Sequence, residues 1–148
     1  FGYALTIPMK LMGRMKSIFT DESGLSIVLS HQPRGLIMAE PLSDISGWHT
    51  LDDIAEEESA KMKKITRQMV SVQQVPSTLT DLPATRLTAR YVCSDETMMV
   101  KDMFFVRHQE RELVYKMWLL TNEATYAEYK PLLEQLVNSF QLRALSGE

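Results

Sequence analysis

Three consecutive segments, residues 84–93, 97–107 and 112–121, alternate apolar and other side chains and carry apolar residues on both of their faces. That alternation makes them strands. The polar stretches Ser94-Asp95-Glu96-Thr97 and His108-Gln109-Glu110-Arg111 between them read as hairpin turns. A sheet with two apolar faces is stable only between two further layers, and the chain offers helices for both. Thr50, followed three residues later by Asp53, resembles a capping box, and Leu51, Ile54, Ala55, Met62 and Ile65 form a one-sided stripe over residues 51–65. Acidic residues crowd the first half of that segment and Lys61, Lys63 and Lys64 the second, as the helix dipole favours. A solvated helix face explains this charge run. The other helix spans 123–140, capped by Asn122, with Tyr126, Tyr129, Leu133, Leu136 and Phe140 along one side. Pro131 is expected to kink it or to begin a second helix.

The first half of the chain adds shorter strands. Residues 2–7 alternate and end at Pro8. Residues 9–20 admit a helix, but Gly13 weakens it. A strand over 15–20, paired with 25–30 across Asp21-Glu22-Ser23-Gly24, fits better. Strands are further expected at 36–39 and at 69–75, the latter closed by Pro76, with 79–83 as a connection. The fold class is α+β with a mainly antiparallel sheet and a C-terminal helix.

Registering the long strands from their turns assigns the faces. Pairing Arg107 with Glu112 and Cys93 with Met98 sets Leu87, Ala89, Tyr91, Cys93, Val100, Phe104, Val106, Leu113, Tyr115, Met117 and Leu119 on a core face whose only charge is Asp102. Asp102 suits a hydrogen-bonded polar group within the sheet better than a catalytic acid. The opposite face mixes Thr88, Val92, Met99, Phe105 and Leu120 with Arg86, Arg90, Lys101, Met103, Lys116 and Trp118. Four cations are too many for a dry core. A covering helix with acidic residues explains them; as a binding surface, Trp118 and Met103 would anchor a partner and the cations would select an acidic one. A one-residue change of register would exchange the faces.

At 148 residues the chain makes one domain, 1–148, and with 45% hydrophobic residues it can bury a core. A single cysteine, Cys93, excludes an internal disulfide framework and reads as a small buried hydrophobe. No apolar run approaches the roughly 20 residues of a membrane span. Sixteen Lys and Arg against nineteen Asp and Glu, a net charge of −3, argue against nucleic acid as partner. His31, His49 and His108 show no metal-ligand spacing, and no phosphate loop or nucleophile elbow is present, so no cofactor, metal or catalytic residue is assigned. Ten methionines fall mostly at packing positions; only those of residues 9–15 approach a thioether cluster, without a histidine. The chain opens within a strand, so a signal or preceding segment is expected upstream.

The opening strand ending in Ile7-Pro8, the helix introduced by Thr50-Leu51-Asp52-Asp53, the long hairpin, and then Tyr126-Ala127-Glu128-Tyr129-Lys130-Pro131 and Leu136-Val137-Asn138-Ser139-Phe140 together resemble the PsbP/DcrB-like superfamily, over Gly2 to about Leu142. The resemblance implies a small α/β/α sandwich with a central antiparallel sheet. It also implies a binding or assembly role of the kind played by photosystem II extrinsic subunits, periplasmic lipoproteins, a Ran-binding import factor and toxin chaperones. Catalysis is generally absent there, and no shared functional residue set maps onto this chain. The resemblance points to an extracytoplasmic protein, periplasmic or held by a lipid anchor outside this sequence, with a cytoplasmic one as the alternative. The expected function is a non-enzymatic accessory domain acting on a protein partner. The alternative is a small-ligand or lipid-binding protein with a pocket between sheet and helices; a histidine-based enzyme is a third possibility.

Overall fold

The computed structural model describes residues 3–21, 24–31, 34–43, 50–66, 68–107 and 113–142. In chain order they form β1 (Tyr3–Ala4), α1 (Met9–Met12), β2 (Ser17–Asp21), β3 (Gly24–His31), β4 (Arg34–Ser43), α2 (Leu51–Ile65), β5 (Gln68–Leu79), β6 (Leu82–Val92), β7 (Met98–Arg107), β8 (Leu113–Asn122), α3 (Glu123–Asn138) and β9 (Gln141–Leu142). Seven strands make one antiparallel sheet in the order β2-β3-β4-β8-β7-β6-β5, and β1 pairs with β9 apart from it.

Both expected layers are present. Helix α3 packs on β7 and β8, and its Tyr126, Tyr129, Leu133 and Leu136 join the larger core with Phe140, Tyr115, Met117 and Ile37. Leu11 of α1 is buried in that same core. Helix α2 lies on the other face over β5, β6 and β7, where Ala55 and Met62 meet Leu87, Ala89, Met103 and Phe105. Its start is the reciprocal capping box: Thr50 Oγ1 accepts from the Asp53 N–H at 3.0 Å, and Asp53 Oδ2 accepts from the Thr50 N–H at 3.2 Å. Pro131 does not begin a second helix: α3 runs through it as one element.

The hairpin favoured for residues 15–30 forms, with Ile18 opposite Ile27 and Thr20 opposite Leu25; the helical alternative survives as the single turn of α1. Strand β5 runs past Pro76 to Leu79. Residues 79–83 are not a loose connection but a two-residue hairpin, with Leu79 opposite Leu82 and both Thr80 (φ 49°) and Asp81 (φ 67°) in the left-handed region. Neither residue is the Asn or Gly that advertises such a turn. Thr80 is held there by its hydroxyl, which donates to the Phe140 carbonyl at 2.7 Å and the Asn138 carbonyl at 3.2 Å. In this hairpin the flanking pair 79/82 is hydrogen-bonded, and alternation then places Pro76, opposite Thr85, in a non-hydrogen-bonded pair. Its missing N–H faces outward from the sheet, so the ladder to β6 loses nothing.

The face assignment needs one correction. Strand β8 pairs with β7 through Phe105 opposite Lys116 and Met103 opposite Trp118, two residues from the expected register and therefore on the same faces. Strand β6 pairs with β7 through Arg90 opposite Val100 and Leu87 opposite Met103, one residue away, which exchanges its faces. The cause is the turn. Cys93 N–H donates to the Thr97 carbonyl and Glu96 N–H to the Cys93 carbonyl, both at 2.9 Å, and Glu96 has φ 67°. This is a three-residue loop, a type I turn followed by a left-handed residue, where four residues were expected. Asp95 Oδ1 supports it by accepting from the Thr97 N–H at 3.0 Å.

Candidate functional site

The six residues nominated as a partner surface do not form one patch. Arg86 and Arg90 stand on the α3 side of the sheet; Lys101, Met103, Lys116 and Trp118 stand on the α2 side.

On the α3 side Asp102 is fully buried and is the acceptor of a dense network. Arg86 donates to it through Nε at 3.0 Å and Nη2 at 2.6 Å, Thr88 through its hydroxyl at 3.1 Å and Tyr126 through its phenol at 2.7 Å. Arg86 also reaches Glu134 of α3 at 2.9 Å and lies over the Phe104 ring. The hydrogen bonds to Asp102 hold the Arg86 guanidinium charged more firmly than usual. Burial, followed by the Asp102 contact, pushes the Tyr126 phenol up. Arg90 pairs with Glu123 at 3.1 Å and lies over the Tyr126 ring. These contacts join β6 and β7 to α3, and their chemistry is internal.

On the α2 side a second cluster gathers around Glu58. Lys116 Nζ donates to Glu58 Oε1 at 3.0 Å, and Lys101 Nζ stands 3.6 Å from the same oxygen. Lys116 also lies 3.8 Å from Glu40 of β4. The Trp118 ring takes Lys101 at 4.4 Å and Lys116 at 5.5 Å from its centre. Burial holds the Lys101 ammonium below its usual range, reinforced by the neighbouring Lys116 charge. Burial raises the Glu58 carboxyl, but Lys116 and Lys101 outweigh it and leave it low. Met103 is fully buried in the floor of this cluster and presents no surface. Glu58 was missed in reading the sequence, although it sits four residues after Ile54 and four before Met62, a charge inside the apolar stripe of α2.

Beyond α2 the same face continues across β8, β4 and β3 in two adjacent rows. One runs Lys101, Leu120, Leu36, Val28, the other Met103, Trp118, Met38, Ser26. Val28, Met38, Trp118 and Leu120 are half-buried. Next to the Lys101 end, a cavity of about 590 Å³ opens between the end of α2 and the β6–β7 hairpin, with Met62, Ile65, Thr66, Tyr91, Cys93, Ser94 and Lys101 on its walls. The Thr66 hydroxyl is buried there without a hydrogen-bond partner among the described groups. Burial and Asp95 push the Cys93 thiol up, which suits a quiet side chain more than a nucleophile. His49 and His108 lie outside the described residues, and the described residues contain no group of three or more metal-ligating side chains. No described helix is long and apolar enough to cross a membrane.

No protein-family model and no curated protein matches the chain. Solved structures do. LpqN, involved in cell envelope biogenesis of Mycobacterium tuberculosis, is 12% identical, with a TM-score of 0.66 over 96% of this chain and 83% of LpqN. The Ran-binding protein Mog1p of Saccharomyces cerevisiae is 10% identical, with a TM-score of 0.56 over 95% of this chain and 86% of its own. The cyanobacterial PsbP of Synechocystis is 10% identical, with a TM-score of 0.52 over 96% and 82%. The fold is thus shared at identities of 10–12%, and the chain has the fold of the PsbP/DcrB/Mog1 family.

Proposed function

We propose that this chain is a non-enzymatic accessory domain that binds a protein partner through the sheet face beside α2, in a protein of the cell envelope. The observation that carries the reading is the half-buried apolar strip of Val28, Met38, Trp118 and Leu120, which ends at Lys101. A tryptophan flanked by aliphatic side chains and bordered by a cation is the composition of a partner-binding centre. The Ran-binding role of Mog1p supports a protein partner, and the envelope role of LpqN supports the location. Arg86 and Arg90 belong to the opposite face and are left out of this surface. Affinity capture from native extract tests the assignment. Met38→Glu with Leu120→Glu should abolish recovery of the partner that the unaltered protein retains, while Arg90→Glu should leave it unchanged. Recovery that survives the first pair, in protein with an unaltered circular dichroism spectrum, removes this face from the function.

The 590 Å³ cavity favours a second reading, a small apolar ligand held between α2 and the β6–β7 hairpin. Native mass spectrometry of freshly purified protein should then show a stoichiometric bound species that disappears in Met62→Trp. An unliganded mass in repeated preparations sinks it.

A further inference from the structure

Lys101 belongs to two features at once. Its side chain forms part of the wall of the 590 Å³ cavity, and its ammonium ends in the cluster around Glu58. Within that cluster the two lysines are not equivalent. Lys116 donates to Glu58 Oε1 at 3.0 Å and has Glu40 at 3.8 Å. Lys101 stands 3.6 Å from the same Glu58 oxygen, past the reach of a good hydrogen bond, with a side chain that is 17% exposed. Of the two, Lys101 is the less firmly tied to its carboxylate. Burial and the Lys116 charge hold its ammonium below the usual range. The remaining wall residues of the cavity, Met62, Ile65 and Tyr91 among them, include no Asp, Glu, Lys or Arg.

We infer that Lys101 is a carbonyl-binding lysine that condenses with an apolar aldehyde held in the cavity, on the second reading above that the cavity is a ligand site. A lysine desolvated beside a second cation is the kind of amine that forms such bonds. Its four-carbon stem lets the amine turn from Glu58 toward the cavity without moving the strand. The carbon–nitrogen bond forms as the amine adds to the carbonyl carbon, the carbon–oxygen bond breaks, and the oxygen leaves as water. Two of the three ammonium protons depart with that water and one stays, so the product is a protonated imine. Glu58, beside the ammonium, is placed to relay those protons. The site keeps its charge: one positive charge remains near the Trp118 ring, which Lys101 meets at 4.4 Å. A neutral carbonyl also suits the electrostatics. An anion is a poor occupant, because Glu58 and Glu40 already balance Lys101 and Lys116. The cavity has the size of small-molecule sites, about 300–1,000 Å³, and Met62, Ile65 and Tyr91 select an apolar chain.

Brief exposure to octanal at limiting concentration, followed by cyanoborohydride, tests the assignment, since reduction fixes an imine as a secondary amine. Peptide mass spectrometry should find one octyl group, on Lys101, and none on the exposed Lys10, Lys63 or Lys64. Lys101→Arg keeps the positive charge but cannot condense, so it should lose the adduct while thermal unfolding stays unchanged. Met62→Trp, which fills the cavity, should lose the adduct with Lys101 still in place. Octyl groups spread over the exposed lysines, or an adduct at Lys101 that Met62→Trp leaves untouched, overturn the inference. Octanol separates it from the reading on which it rests. If native mass spectrometry shows octanol retained while octanal leaves Lys101 unmodified, the reactive lysine is overturned and the ligand site stands. If neither compound is retained, both fall.

Discussion

Asp102→Ala should lower the free energy of unfolding by about 3–5 kcal/mol, measured as a fall in the denaturation midpoint. The carboxylate is fully buried and accepts hydrogen bonds from Arg86, Thr88 and Tyr126. Its removal strands two hydroxyls and leaves Arg86, whose side chain is 18% exposed, with Glu134 as its remaining carboxylate. Breaking one side of a buried pair costs more than the pair contributes, because the surviving charge keeps its desolvation penalty. The double substitution Arg86→Met with Asp102→Leu should therefore recover much of the loss, and Asp102→Asn, which keeps shape and one acceptor, should fall between. A loss below about 1 kcal/mol for Asp102→Ala would place the group in water.

Gly24→Ala should cost on the order of 3 kcal/mol and detach the β2–β3 hairpin before the rest of the sheet. Gly24 has φ 133°, a conformation that side chains rarely adopt, and an added Cβ would stand 1.9 Å from the Ala39 carbonyl oxygen, a backbone atom of β4 that cannot step aside. Strand β2 pairs only with β3, so the same substitution should lose protection of the β2 amides from hydrogen exchange. Full protection of β2 in the alanine variant would contradict the account.

How far the sequence reveals this molecule depends on what each signal measures. Helix α2 is legible to the residue, because the Thr50–Asp53 box and the stripe that follows depend only on local geometry. The hairpin at Gly24 is legible for the same reason. The faces of β6 are not, since the register of a hairpin depends on one residue of loop length. Ser94-Asp95-Glu96-Thr97 looks like four turn residues until Glu96 takes the left-handed conformation and Thr97 pairs with Cys93. That single residue moves Arg86 and Arg90 beside α3 and brings Leu87 and Ala89 under α2. The basic patch read from strand parity thereby separates into two internal networks, and besides Asp102 and Glu40 of the sheet their acidic partners are Glu58, Glu123 and Glu134 of the two helices. Long-range pairing of this kind leaves no mark on local periodicity. The exposure of Met9 and Met12 was hidden differently, since methionine counts as core filling until a helix proves to be one turn long.

The outward orientation of Pro76 bears on how this protein behaves at high concentration. Strand β5 is a twelve-residue edge, Gln68–Leu79, without one charged side chain, and Val70, Val72 and Val75 are exposed on it. Uncharged edges of this kind are templates for fibril growth. Here the register shift between Met69 and Ser71 interrupts the edge on one side, and Pro76 withholds a donor on the other. The regular stretch between them is the five residues Ser71–Val75, shorter than the six or seven that a steric zipper needs. A proline that costs the sheet no hydrogen bond thus shortens the stretch of β5 on which another strand could pair.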